Sequence, residues 1–183
     1  MLTKSIMAIL IGFILAVCLA VVLIPFLKRI HAGQSISIYL RKSHKSKQGT
    51  PTMGGLIFII PTLLIMTILI VMDKIHFSYT LVIIMFTLFS YTMIGFIDDY
   101  LIVKKHDNKG LTQMQKLMLQ IVVAIIFFYL FMKGGNEPLL WVHSLHFKLD
   151  IGFLYGLFIL FVLVASSNAV NLTDGLDGLA GGL

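Results

Sequence analysis

The chain has 183 residues, of which 58% are hydrophobic and only 12% charged. Soluble domains average roughly 45–50% apolar and about 25% charged residues, so a water-soluble globule is excluded and lipid is the solvent for the excess apolar surface. The formal net charge of +6 sits in short segments between apolar runs, a pattern that reports membrane topology and argues against a nucleic-acid partner.

The first predicted span covers residues 5–27. Lys4 precedes it as in a secretion signal, but its apolar core exceeds the roughly 7–15 residues of a signal h-region. A basic segment follows that would stop transfer, so the span is retained. Cys18 lies inside it and is expected to be a small buried apolar residue. The basic segment ends in Lys47-Gln48-Gly49-Thr50-Pro51-Thr52-Met53-Gly54-Gly55. Its glycines, threonine hydroxyls and backbone N–H groups suit phosphate oxygens near a helix start. Taken alone, such a run is equally an ordinary turn.

The second span is predicted over residues 54–72 and the third over 79–97. The third closes on Phe96-Ile97-Asp98-Asp99-Tyr100. Carboxylates at membrane depth are costly, and a helix C-terminus disfavours negative charge. Two unfavourable placements point to a compensating cation, with a solvated helix end as the alternative. Adjacent helical residues project about 100° apart, so one carboxylate can address a magnesium ion and the other a substrate.

Thr112-Gln113-Met114-Gln115 fits a capping box and starts the fourth span, 113–132. Lys116 then lies near the helix N-terminus, where the dipole disfavours a cation. Phosphate is its natural partner, and a snorkelling lysine the alternative. Trp141 suits an outer membrane interface. The fifth span covers 151–170.

From Asn168 to Leu183 the chain is expected to form a loop entering a sixth helix. Asp174 and Asp177, three apart, share a face if helical. With Asn168 and Asn171 they suit a sugar, a base or a hydrated metal; an Asn/Asp turn is the alternative. The chain stops at Gly-Gly-Leu, as a fragment would. The six histidines are scattered and are read as structural.

The fold expected is all-α: a polytopic membrane helical bundle of five transmembrane helices plus the start of a sixth, in one domain over 1–183. Ten Lys and Arg residues fall on one side of the membrane and four on the other. The positive-inside rule puts the ten in the cytoplasm and the N-terminus outside. Acids, lysines and glycine turns are then all expected at cytoplasmic helix ends. Such a set suits phosphoryl transfer between a soluble nucleotide-linked donor and a lipid-borne phosphate.

Gly49-Thr50-Pro51-Thr52-Met53-Gly54-Gly55, the Asp98-Asp99 run and Asn168-Ala169-Val170-Asn171-Leu172-Thr173-Asp174-Gly175-Leu176-Asp177-Gly178 occur in that order. Together they resemble the phospho-N-acetylmuramoyl-pentapeptide transferases, within the polyprenyl-phosphate N-acetylhexosamine-1-phosphate transferase family. The resemblance implies a bacterial plasma-membrane enzyme of about ten spans with a cytoplasmic active face. It implies Mg2+ as cofactor, UDP-MurNAc-pentapeptide and undecaprenyl phosphate as substrates, and a possible homodimer. By the same resemblance Asp98 is the base at the lipid phosphate, Asp99 lies nearer metal or diphosphate, and Lys116 meets phosphate. Asn168, Asn171, Asp174 and Asp177 match the loop around metal and nucleoside, with Asp99 and Asp174 as metal ligands. Lys47 and Thr52 match the nucleotide edge. Half a bundle is expected to be inactive alone. Competing expectations are a related GlcNAc-1-phosphate transferase and a non-catalytic transport subunit.

Overall fold

A computed structural model describes residues 2–29, 52–105, 110–142, 144 and 147–173, the side chains of 2–5 and 172 excepted. Among the described residues, five helices and one two-stranded antiparallel sheet follow in the order α1 (Leu2–Arg29), α2 (Leu56–Val71), α3 (Tyr79–Lys105), α4 (Gln113–Lys133), β1 (Leu139–Val142), β2 (Phe147–Asp150) and α5 (Leu154–Thr173). Among the described residues four helices, α1, α3, α4 and α5, are long and apolar enough to cross a membrane. They leave large apolar side chains uncovered, with Ile9 and Val21 each 70% exposed. Only hydrocarbon makes such surface inexpensive. The protein is a membrane-embedded, multi-pass, helical protein.

α2 is shorter than its predicted span. Its 16 residues rise about 24 Å, under the roughly 30 Å of a hydrocarbon core. Met53 at φ +65° and Asp73 at φ +52° lie just outside its two ends, where left-handed backbone cannot continue a right-handed helix. α3, by contrast, runs eight residues past its predicted end at Ile97. Leu101, Ile102 and Val103 continue the apolar pattern, and no Gly or Pro intervenes before Gly110. The aspartates are therefore inside α3 and not at its C-terminus. Lys104 and Lys105 occupy the last turn instead, where the dipole favours them.

The chain divides into two compact units. The first comprises Met1–Phe77 and Leu88–Thr112. Here α1 packs on α2, and Gly12 lets the helices approach: a Cβ there would lie 3.3 Å from Ile65 Cδ1. The second unit comprises Ser78–Thr87 and Gln113–Leu183. In it α4 packs on α5. Gly156 accepts the Phe128 ring at 3.1 Å from where its Cβ would stand, and Phe131 meets Tyr155 at 5.4 Å between centroids. α4 starts one residue after Thr112, where the capping pattern puts it.

The hairpin β1–β2 is not anticipated by the apolar-run reading. Trp141 pairs with Lys148 across it, and the Lys148 ammonium sits 4.5 Å from the indole centroid. That cation–π contact and the cross-strand pairing hold four-residue strands that hydropathy alone does not register. Asp150 Oδ1 accepts the Gly152 N–H at 2.9 Å, and Gly152 adopts φ +49°. This turn moves the start of α5 from 151 to Leu154. The far end moves too: α5 runs to Thr173, so Asn168 and Asn171 are helical and not in a loop. No glycine or proline stands between Gly156 and Gly175 to stop the helix earlier.

Candidate active site

In the first unit α3 presents Asp98 and Asp99, and each carboxylate grips a backbone N–H from a different flanking segment. Asp99 Oδ2 accepts the Met53 N–H at 2.9 Å, across 46 residues of sequence. Met53 has left-handed backbone, which for a non-glycine residue costs on the order of 1–3 kcal/mol. A charge-assisted bond to the same residue's amide is of similar size and offsets it. Thr52, beside it, is only 7% exposed. The Met53 and Gly54 carbonyls then accept the first amides of α2. Asp99 thus ties the glycine turn and the start of α2 to the C-terminal third of α3.

Asp98 Oδ1 accepts the Leu111 N–H at 2.7 Å. The neighbouring Gly110 has no room for a side chain, since a Cβ would collide with Asp98 Oδ1 and stand 2.9 Å from the Asp98 carbonyl oxygen. Asp98 therefore holds the segment that precedes α4. The sequence suggests a compensating cation for these acids, and the structure adds backbone donors as part of the compensation. Gly110→Ala is expected to push the Asp98 carboxylate off Leu111. Overpacking of this kind costs roughly 1–3 kcal/mol, read as a lowered unfolding midpoint in detergent. An unchanged midpoint would mean that the close approach is not needed.

In the second unit the half-buried Lys116 lies one turn before Gln120 on the same face of α4. Gln120 is 3% exposed. Its Nε2 donates to Ser167 Oγ at 3.1 Å, and its Oε1 accepts from Asn168 Nδ2 at 3.1 Å. Asn168 Nδ2 also donates to the Val164 carbonyl at 2.8 Å. Asn171, one turn further along α5, is exposed. Of the residues expected to form a site, Asp98, Asp99 and Thr52 thus belong to one unit, and Lys116, Asn168 and Asn171 to the other. Lys47, Asp174 and Asp177 lie outside the described residues. Among the described residues no group of three or more His, Cys, Asp or Glu side chains is placed to hold a metal ion.

Sequence reasoning missed Gln120 and Gly110. The signal for Gln120 was present: it is the lone polar residue in Leu117-Met118-Leu119-Gln120-Ile121-Val122-Val123-Ala124, four residues after Lys116. Gly110 carries no signal without its partner.

The class of protein defined so far is a helical, multi-pass membrane protein whose first unit holds an acid pair tied to a glycine turn. Residues 81–183 match the model of glycosyl transferase family 4, and the chain belongs to that family. Residues 47–59 match signature 1 of phospho-N-acetylmuramoyl-pentapeptide-transferase. The chain is similar to proteins of that name from several bacteria. It is 46% identical to the one from Staphylococcus epidermidis over 182 residues, 98% of this chain and 55% of that protein. It is 39% identical to that of Oceanobacillus iheyensis over 181 residues, 99% of this chain and 56% of that protein. For Bacillus subtilis the figures are 42% over 174 residues, 95% and 53%. The chain spans about half the length of the curated relatives it matches.

Proposed function

We propose that this chain forms part of a transferase that moves phospho-MurNAc-pentapeptide from UDP-MurNAc-pentapeptide to undecaprenyl phosphate, giving lipid I and UMP in peptidoglycan synthesis. The observation that carries the reading is the bond between Asp99 and the Met53 N–H, because Met53 lies inside the matched signature. The signature turn and the acid pair are one assembly, as a phosphate site needs.

In this reading a phosphate oxygen of the lipid attacks the phosphorus next to the sugar. The bond from that phosphorus to the bridging oxygen breaks, and UMP leaves. Asp98 takes the proton of the lipid phosphate and Asp99 faces the diphosphate. Lys116 neutralises charge on phosphate. Lys47 and Thr52 border the nucleotide, and Asn168, Asn171, Asp174 and Asp177 serve metal and nucleoside. In the same reading the acid pair faces the cytoplasm, with the N-terminus outside, and a homodimer is the proposed assembly.

Magnesium fits the donor set. It is a hard cation commonly held by one or two carboxylates plus substrate phosphates, with several waters kept. Adjacent Asp98 and Asp99 offer such oxygens, and Asp99 with Asp174 would hold it. When bound, it neutralises the diphosphate. The residues on this chain orient the two phosphates and keep a base at the acceptor.

The test is transfer in membranes carrying the protein expressed from its complete coding frame. UDP-MurNAc-pentapeptide is expected to yield UMP and a lipid product, with activity lost on chelation and restored by Mg2+. Exclusive use of UDP-GlcNAc would overturn the substrate. Activity indifferent to chelation would overturn the metal.

A further inference from the structure

The Gln120 cluster has a direction that follows from its geometry. The Val164 carbonyl can only accept, so the Asn168 atom 2.8 Å from it must be the amide nitrogen. That nitrogen then also faces Gln120, so the Gln120 atom there must be the carbonyl oxygen. The Gln120 nitrogen is left for Ser167, whose hydroxyl accepts. Each amide orientation is thereby set by an acceptor-only backbone group, without the usual ambiguity of Asn and Gln flips. Both N–H groups of the Asn168 side chain are used within the protein. The polar atom it has left to offer is Oδ1.

We infer that Gln120 is a positioning residue that turns Asn168 into an acceptor: Oδ1 is presented to a ligand hydroxyl, a ligand N–H or a metal-bound water, and not to a phosphate oxygen. This rests on the proposed function for the identity of the ligands, and it narrows the sequence reading, in which Asn168 offers donors and acceptors alike. Two observations separate it from simple helix–helix adhesion. Gln120 is 3% exposed, the more deeply buried of the two buried polar residues, Thr52 and Gln120, among the described residues. It also meets α5 at Ser167 and Asn168, where the Asn-rich motif begins. A polar pair serving adhesion alone has no need of that register.

The test compares Gln120→Met and Gln120→Glu in the protein expressed from its complete coding frame. Met keeps the bulk and removes both hydrogen-bonding groups. A Glu oxygen still accepts from Asn168, and Ser167 can donate to or accept from the second oxygen according to its protonation. The readouts are KM for UDP-MurNAc-pentapeptide, KM for undecaprenyl phosphate and the Mg2+ concentration at half activity. Calorimetric titrations with UMP and with Mg2+ alone give the same comparison without turnover.

Gln120→Met is expected to weaken Mg2+ or nucleotide affinity on the order of 10–100-fold, the usual effect of losing a supporting hydrogen bond behind a ligand-binding group. The KM for undecaprenyl phosphate stays unchanged, and Gln120→Glu recovers most of the loss. A shift confined to Mg2+ assigns Oδ1 to a metal-bound water, and one confined to UMP assigns it to a nucleoside hydroxyl or N–H. Adhesion alone predicts the reverse order, with Met tolerated and Glu damaging, and that result overturns the inference. So does a wild-type protein that binds neither UMP nor Mg2+. A silent transferase assay with intact titrations removes the proposed reaction and leaves Gln120 to be decided by the titrations. If Gln120→Met does not fold, Ser167→Ala loosens the far side of Gln120 and should shift the same affinities in the same direction; no shift overturns the inference.

Discussion

Asp98→Asn is expected to lower kcat on the order of 10²–10⁴-fold, the usual effect of removing a general base, with the fold intact. The two halves of that expectation come from different atoms. The Asn carbonyl oxygen can still accept the Leu111 N–H that Asp98 Oδ1 now takes at 2.7 Å, so the segment before α4 stays in place. What the amide cannot do is receive a proton from the lipid phosphate. Single-turnover transfer with saturating substrates reads the chemical step, and the unfolding midpoint in detergent reads the fold. Transfer at the wild-type rate would remove Asp98 as the base. A collapsed midpoint would instead mean that the carboxylate charge is needed to hold Leu111.

The second large effect is at Asp99, where two variants separate anchoring from charge. Asp99→Asn retains an acceptor for the Met53 N–H and is expected to keep the unfolding midpoint near wild type. Asp99→Ala removes the acceptor and leaves Met53 in its left-handed conformation without the bond that offsets it. Loss of a hydrogen bond to a charged group costs about 1.5–3 kcal/mol, so the Ala midpoint should fall clearly below that of Asn. Activity should follow a different order. Both variants lack the negative charge proposed to face the metal-bound diphosphate, and both should lose most transfer. If Asp99→Asn is as active as wild type, Asp99 is a turn anchor and its place at the diphosphate is lost.

These two predictions mark where sequence and structure contributed differently. The aspartate pair stands out from sequence because ionised groups are rare in apolar runs. Its surroundings do not, because an apolar run announces burial in lipid but not where a helix ends. Asp98 and Asp99 look like a terminus, yet α3 continues to Lys105. The start of α4 was legible because capping is local: Thr112 and Gln115 lie three residues apart. The hairpin was not, because its strands are four residues long and are held by cross-strand pairing, not by an apolar stripe.

By itself the sequence determined that the protein lives in a bilayer and that it is helical, and it singled out the acidic, basic and glycine-rich segments proposed to carry its chemistry. All of these follow from composition and short-range pattern. Only the tertiary structure decided that Asp99 holds Met53 across 46 residues and that Gln120 orients Asn168 across 48. In lipid, every helix face is apolar enough to meet any other, so hydropathy cannot choose partners. The choice falls to a few directional hydrogen bonds, which appear only once the helices are packed.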